Sequence, residues 1–218
     1  MYEKYFAGIS NNTFEEFRLT SREVLIDLAN NKQLMCEMLR NIQNSEELIK
    51  KSESYDFLDK FTIYSNNEQQ IYARISVFNN KYGNRIHYHR WDYSSYILKG
   101  GYTQYIYGHL QKGKELIREA CSLNPILVEE LQEGNLYSLD NSVIHSVKAI
   151  PGSVSICIRG KSQRDRFQVI DTRTDTEWWQ YGQKLEAFEE HQVKQISFED
   201  LKVKVNRTCE FLGGEKNV

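Results

Sequence analysis

The stretch Gly83–Tyr107, GNRIHYHRWDYSSYILKGGYTQYIY, decides how this chain is read. It holds His87 and His89 with one residue between them, among β-branched and aromatic neighbours that favour a strand. Along a strand, residues i and i+2 project to the same face, about 7 Å apart. Two imidazoles so placed can converge on one ion. A third candidate lies in GNLYSLDNSVIHSVKAIPGSVSICIRG, where His145 follows an Asp140-Asn141-Ser142 turn and starts another β-type run. The chain has five histidines, the other two being His109 and His191. A lone buried histidine is commonly a hydrogen-bonded core residue. A strand-borne pair followed by a third histidine on a later strand predicts a metal site instead, given the preference of imidazole for transition metals.

Strand character surrounds this stretch. FLDKFTIYS and QQIYARISVF alternate with period two, placing Ala73, Ile75 and Val77 on one face and Tyr72, Arg74 and Ser76 on the other. Gly100-Gly101, between YSSYILK and YTQYIYGHL, predicts a two-residue hairpin. Several short strands joined by tight turns argue for a closed or sandwiched all-β unit. After His145, Val154, Ile156 and Ile158 form an apolar face, leaving Ser155, Cys157 and Arg159 on the other. On a surface strand Arg159 would simply be solvated.

Helical signals flank the β region. Thr13 with Glu16 has capping-box spacing, Ser21 offers a second start, and Leu34, Met35, Met38, Leu39 and Ile42 continue an apolar stripe. Residues 13–51 read as two or three helices packed outside the β unit. Residues 113–131 contain one helical turn and a half around Leu116, Ile117 and Ala120, which either roofs a pocket mouth or lies at the periphery. Arg164, Arg166 and Arg173, interleaved with Asp165, Asp171 and Asp175, read as a salt-bridged surface edge. Trp178, Trp179 and Tyr181 either close the barrel end or stack on a ligand, packing being the expected role. Ser197 with Asp200 starts a terminal helix that ends at Gly213-Gly214.

The 218 residues suffice for one sizeable core. A charged fraction of 27% with a net charge of −2 gives no nucleic-acid footprint. No apolar run approaches the ~20 residues that span a bilayer, and MYEKYFAGIS lacks the apolar core of a secretory signal. Cys36, Cys121, Cys157 and Cys209 are widely spaced and read as reduced thiols. The expected setting is cytoplasmic.

At its histidine motifs the chain resembles the cupin superfamily. The first cupin motif has the form Gly-x5-His-x-His-x(3,4)-Glu-x6-Gly, and the second carries a later His downstream of a Gly. Here three residues rather than five separate Gly83 from His87, Tyr93 and Ser94 occupy the Glu positions, and Gly100 or Gly101 closes the motif. Gly134 and His145 match the second motif in outline, and the resemblance covers about Phe57 to Phe167. It implies a mainly-β, cupin-type double-stranded β-helix (jelly-roll) barrel over residues 57–182. An N-terminal helical segment, 1–56, would pack on it, and a C-terminal helical extension, 183–218, would complete one structural domain.

Without the motif Glu, the chain resembles the three-His cupins of the cysteine dioxygenase-like, or thiol dioxygenase, group. That resemblance implies metal ligands His87, His89 and His145, with Fe(II) as the metal and Zn, Mn or Ni as alternatives. Asp92 falls one residue short of the carboxylate window and is expected at most to support the ligands. The strand after the third His lines the cavity in cupins, so Arg159 is expected to offer a fixed fork to a carboxylate or phosphate and to anchor a substrate carboxylate, with Arg74 in reserve and Cys157 and Tyr96 beside them. Cys157 and Arg159 stand where thiol dioxygenases carry a His and a Tyr, and Ser94 or Ser95 stands near the position of their crosslinking Cys. The implied activity is oxygenation of a small amino-acid-like or carboxylate-bearing substrate, with O2 and that substrate as partners and neither nucleic acid nor membrane. A homodimer stays open. A Zn-dependent isomerase, lyase or condensation catalyst and a non-catalytic small-molecule binder are the alternatives.

Overall fold

The computed structural model describes residues 2–79, 85–182, 185, 187 and 194–213. Gly83, the rest of the NNKYGN turn after Asn79 and Gly214 lie outside the described residues. Helices occupy Glu3–Phe6 (α1), Phe14–Asn30 (α2), Lys32–Asn41 (α3), Glu46–Lys51 (α4), Ile117–Ala120 (α5) and Phe198–Phe211 (α6). The strands are Glu53–Ser54 (β1), Leu58–Asn66 (β2), Ile71–Phe78 (β3), Arg85–His87 (β4), Trp91–Lys99 (β5) and Gly101–His109 (β6). They continue with Leu127–Gln132 (β7), Leu136–Leu139 (β8), Val143–Ala149 (β9), Val154–Ser162 (β10), Arg166–Asp171 (β11) and Thr176–Tyr181 (β12).

The strands form two six-stranded antiparallel sheets, ordered β1-β2-β3-β10-β5-β8 and β12-β11-β4-β9-β6-β7. This is a mainly-β, cupin-like sandwich with N-terminal helices and a C-terminal helix. The chain passes repeatedly between the sheets, and this corrects the hairpin expected at Gly100-Gly101. β5 lies in the first sheet beside β10 and β8, whereas β6 lies in the second beside β9 and β7. Gly100, at φ +72°, turns the corner between sheets. The Ser153 hydroxyl fixes that corner by accepting from Gly101 N at 2.9 Å and donating to Gly101 O at 2.8 Å. A Cβ on Gly101 would stand 2.5 Å from the Leu131 carbonyl oxygen. Gly101→Ala is therefore expected to destabilise the fold by about 1–3 kcal/mol, the usual cost of overpacking, seen as a lower urea midpoint.

Most of the apolar core lies between the outer face of the first sheet and the helices. Phe17, Leu25, Met35 and Leu39 meet Phe61, Ile75, Ile156 and Ile158 there, joined by Leu201 and Val205 of α6. Both expected helix caps form: Thr13 accepts from Glu16 N, and Ser197 accepts from Asp200 N. Ser21 does not start a second helix. α2 runs through it, and its buried hydroxyl donates to Phe17 O and pairs with Ser94 Oγ at 2.7 Å. Bonding to the i−4 carbonyl is how a serine inside a helix satisfies its hydroxyl.

A second cluster, with Ile86, Tyr88, Ile144 and Ile170, covers the outer face of the second sheet beneath Ile117 and Leu123. The 113–131 segment is therefore peripheral, and its last residues become β7 rather than helix. Cys36, Cys121, Cys157 and Cys209 are free, Cys36 and Cys209 being buried. Among the described residues no helix is long and apolar enough to cross a membrane.

Candidate metal centre

With the outer faces packed, the inner faces of the two sheets enclose a cavity of about 330 Å³. β4 carries His87 into it, directly opposite His145 on β9. His89 lies two residues beyond the end of β4, yet the alternation expected of a strand persists: both histidines line the cavity. Tyr88 between them is fully buried on the other side, where its hydroxyl donates to Glu115 O at 3.0 Å. Candidate ligand atoms of the three imidazoles lie within 4.8 Å of one another.

The hydrogen bonds define the donors. His87 Nδ1 lies 2.9 Å from Arg85 O, an acceptor only, so Nδ1 carries the proton and Nε2 is the bare nitrogen. His89 Nε2 and His145 Nε2 stand 2.9 Å apart. Two nitrogens bound at about 2.1 Å to one ion, at a right angle, would stand about 3 Å apart. The donor set therefore fits a divalent transition metal, and these three histidines would hold it. Burial pushes the His87 imidazole down to about 4. Burial, aided by the neighbouring imidazoles, also holds His89 and His145 well below the ordinary range, so all three are neutral at neutral pH. Neutral imidazole is the form that binds metal.

Neutrality has a stability consequence for the metal-free chain. The folded-state value of His87 lies below the unfolded one, so on acidification the unfolded state takes its proton first. Metal-free protein should lose stability as pH falls from about 6.5 to about 4, by roughly 3 kcal/mol from His87 alone. Urea midpoints of chelated protein across that range would check it, and a flat profile would contradict it.

The segments bearing the histidines are tied together. Ser142 N and Oγ both donate to Asp140 Oδ1, shaping the turn before β9. Asp92 accepts from Asn141 N and Nδ2, each at 2.7 Å, so it anchors that turn and does not line the cavity. Arg164 donates from Nη1 to Asn141 O at 2.8 Å and to His89 O at 3.4 Å. It thus joins both histidine segments, rather than lying on the surface edge expected from the sequence. Arg166 and Arg173 do keep ion pairs there, with Glu115 and Asp171.

The wall facing the histidines comes from the first sheet. Arg159, Cys157 and Arg74 line it, as does Ser155. The Arg159 guanidinium lies 4.3 Å from the Tyr72 ring centroid and 4.1 Å from that of Trp91, and its Nε is buried with no hydrogen-bond partner. Burial, then Arg74 and Arg90, push it down to about 9, a measure of how little its charge is compensated. Tyr96 is a correction. It sits opposite Ile156 and packs into the helix-covered core, because Tyr93 and Ser95 take the inward positions of β5. Tyr93, which the sequence reading noted only as a replaced motif Glu, brings its hydroxyl within 3.5 Å of His145 Nε2. Burial raises its phenol well above the usual range, so it stays protonated. Lys60 and Glu53 also line the cavity and were not anticipated. The parity of β2, in which Lys60 shares the face of Leu58, was the available signal. Trp178 and Tyr181 line the mouth, while Trp179 packs under the Arg166 guanidinium at 4.0 Å.

No protein-family model and no curated protein matches the chain. Solved structures with similarity to it include KdgF from Halomonas sp., at TM-score 0.37 and 15% identity over 51% of this chain and 85% of that one. An RmlC-like cupin from Shewanella frigidimarina aligns at TM-score 0.36 and 16% identity, over 52% and 96%. The DMSP lyase DddQ from Ruegeria pomeroyi aligns at TM-score 0.37 and 11% identity, over 49% of this chain and 48% of its own, so this chain spans about half the length of that lyase. Similarity at this level says nothing about reaction. The architecture rests on the strand order, and the metal centre on the three imidazoles.

Proposed function

We propose that this protein is a metal-dependent cupin enzyme, a mononuclear non-haem Fe(II) oxygenase acting on a small amino-acid-like or carboxylate-bearing substrate. The observation that carries the reading is the pairing of three neutral, converging imidazoles with an uncompensated guanidinium in one cavity. Fe(II) on three imidazoles, when bound, supplies O2 activation with coordination positions left for substrate. The chain's own residues do the rest. Arg159, fixed between two rings, orients a carboxylate through its planar fork. Tyr93 holds a proton beside His145 Nε2, within reach of an oxygen atom on a bound substrate. Phe167, Val169 and Trp178 give the histidine side of the cavity an apolar lining that restricts water.

The same Tyr93 hydroxyl supports a second reading, a Zn-dependent isomerase, lyase or condensation catalyst in which it serves as proton donor. Metal analysis of protein purified without oxygen, followed by oxygen-uptake assays on a panel of small carboxylates, separates the two. Iron near one per chain with substrate-dependent uptake supports the oxygenase. Bound zinc with carboxylate turnover and no uptake would overturn it in favour of the second reading.

A further inference from the structure

The cavity lining is charged unevenly. Lys60, Arg74, Arg85, Arg90 and Arg159 face it, and Glu53 is the acidic residue among the described lining residues. Arg85 and Arg90 sit on rings at the mouth, Arg85 over Phe57 and Trp178 and Arg90 over Trp91, and Arg85 also pairs with Asp171 at 3.7 Å. The other three form a corner of the first sheet, on β2, β3 and β10, around Glu53 of β1. Glu53 pairs with Arg74 at 3.5 Å. Burial would push the Glu53 carboxyl up, but Arg74, Lys60, Arg159 and Lys194 outweigh it and hold the group ionised.

One carboxylate thus answers for several cations. Among the described residues Lys60 makes no ion pair or hydrogen bond, its ammonium resting 4.7 Å from the Tyr55 ring centroid. Arg159 makes none either, and the Nε atoms of Arg74 and Arg159 are buried without partners. Cations drawn into a cavity around a single carboxylate are costly to hold there, so this corner suits an incoming anionic group. The opposite wall carries the three imidazoles, which add no charge of their own as metal ligands and would leave a divalent ion its full charge. That end favours an anionic donor as well. The two demands arise on opposite sheets, which in packed sandwiches stand about 10 Å apart before side chains are counted. Trp91 touches both ends, 4.1 Å from the Arg159 guanidinium and 6.0 Å from the His89 ring, so the guanidinium and that imidazole are at most about 10 Å apart, a gap that a ligand with an anionic group at each end can bridge.

We propose that the site takes a short dicarboxylate, one carboxylate held by Lys60 and Arg159 beside the Glu53–Arg74 pair and the other directed at the three imidazoles. This inference rests on the metal-enzyme reading of the same cavity and adds Lys60 as a specificity residue. Isothermal titration of the full chain, zinc-loaded and chelated, with succinate, glutarate, butyrate and inorganic phosphate tests it. Zinc-loaded protein should bind succinate or glutarate at least about tenfold more tightly than butyrate, as expected for one further charge-assisted contact. Chelation should remove that preference while butyrate binding persists. Lys60→Met should weaken both classes of ligand at normal zinc content, and Lys60→Arg should restore them. Equal affinities of zinc-loaded protein for butyrate and the dicarboxylates, or tighter binding of phosphate than of either dicarboxylate, would overturn the dicarboxylate assignment and leave the metal centre standing. Unchanged affinities in Lys60→Met would overturn the corner. A chain that binds no zinc yet binds butyrate in a Lys60-dependent way would refute the metal reading and, with it, the second carboxylate.

Discussion

A His145→Ala chain is expected to bind its divalent metal more than about a hundredfold more weakly, and to emerge from purification with the metal content of a chelated control. Loss of a group that merely orients a ligand costs about 10–100-fold in metal affinity, so loss of one ligand in three costs more. Among the described carboxylates, Asp92 is engaged with Asn141 and Glu53 lies in the cationic corner, so neither stands ready to replace the imidazole. His109→Ala is the control, since that imidazole is exposed and bonded to Ser142 Oγ, and it should keep full metal content. His145 is itself buried, so a folding check by circular dichroism accompanies the measurement. Metal at the wild-type level in a folded His145→Ala chain would remove His145 from the site.

Arg159→Met should weaken substrate binding by about 1.5–3 kcal/mol, the worth of a hydrogen bond to a charged group, with metal content unchanged. Met can occupy the slot between Tyr72 and Trp91 without the charge, so the change isolates the guanidinium's role. Arg159→Lys keeps a charge but loses the planar fork, and its effect should be intermediate. Affinity equal to wild type in Arg159→Met would make this residue a clamp between two rings and pass the anchoring role to Arg74.

Local rules in the sequence anticipated much of this. Helix caps at Thr13 and Ser197 formed because capping depends only on residues a turn apart. Period-two alternation correctly separated the helix-covered residues Ala73, Ile75, Ile156 and Ile158 from the cavity-lining Arg74, Cys157 and Arg159. What failed was non-local. Gly100-Gly101 has the composition of a hairpin, but composition cannot say whether the next strand returns to the same sheet. Ser21 has the look of a cap, and only its partner Ser94, 73 positions away, makes it an interior residue. Tyr96 and Tyr93 are both aromatic residues on one strand, and which of them faces the histidines depends on the register against β10. Lys60 escaped notice because a charged residue on a strand is ordinarily solvated, and its shared face with Leu58 does not by itself say whether that face meets the cavity or the helices.

The interleaving of strands between sheets also bears on how the protein assembles. β4, with His87, is hydrogen-bonded between β9 and β11, both formed by chain more than fifty residues downstream. Closing loops of that length loses entropy before any contact repays it, and proteins dominated by such pairings fold slowly. During synthesis the first two histidines emerge long before the strands that fix them, so the binding site is among the last features to mature. A nascent chain interrupted before Val143 carries His87 and His89 with neither strand neighbour of β4, and any metal it meets encounters two tethered imidazoles rather than a formed centre.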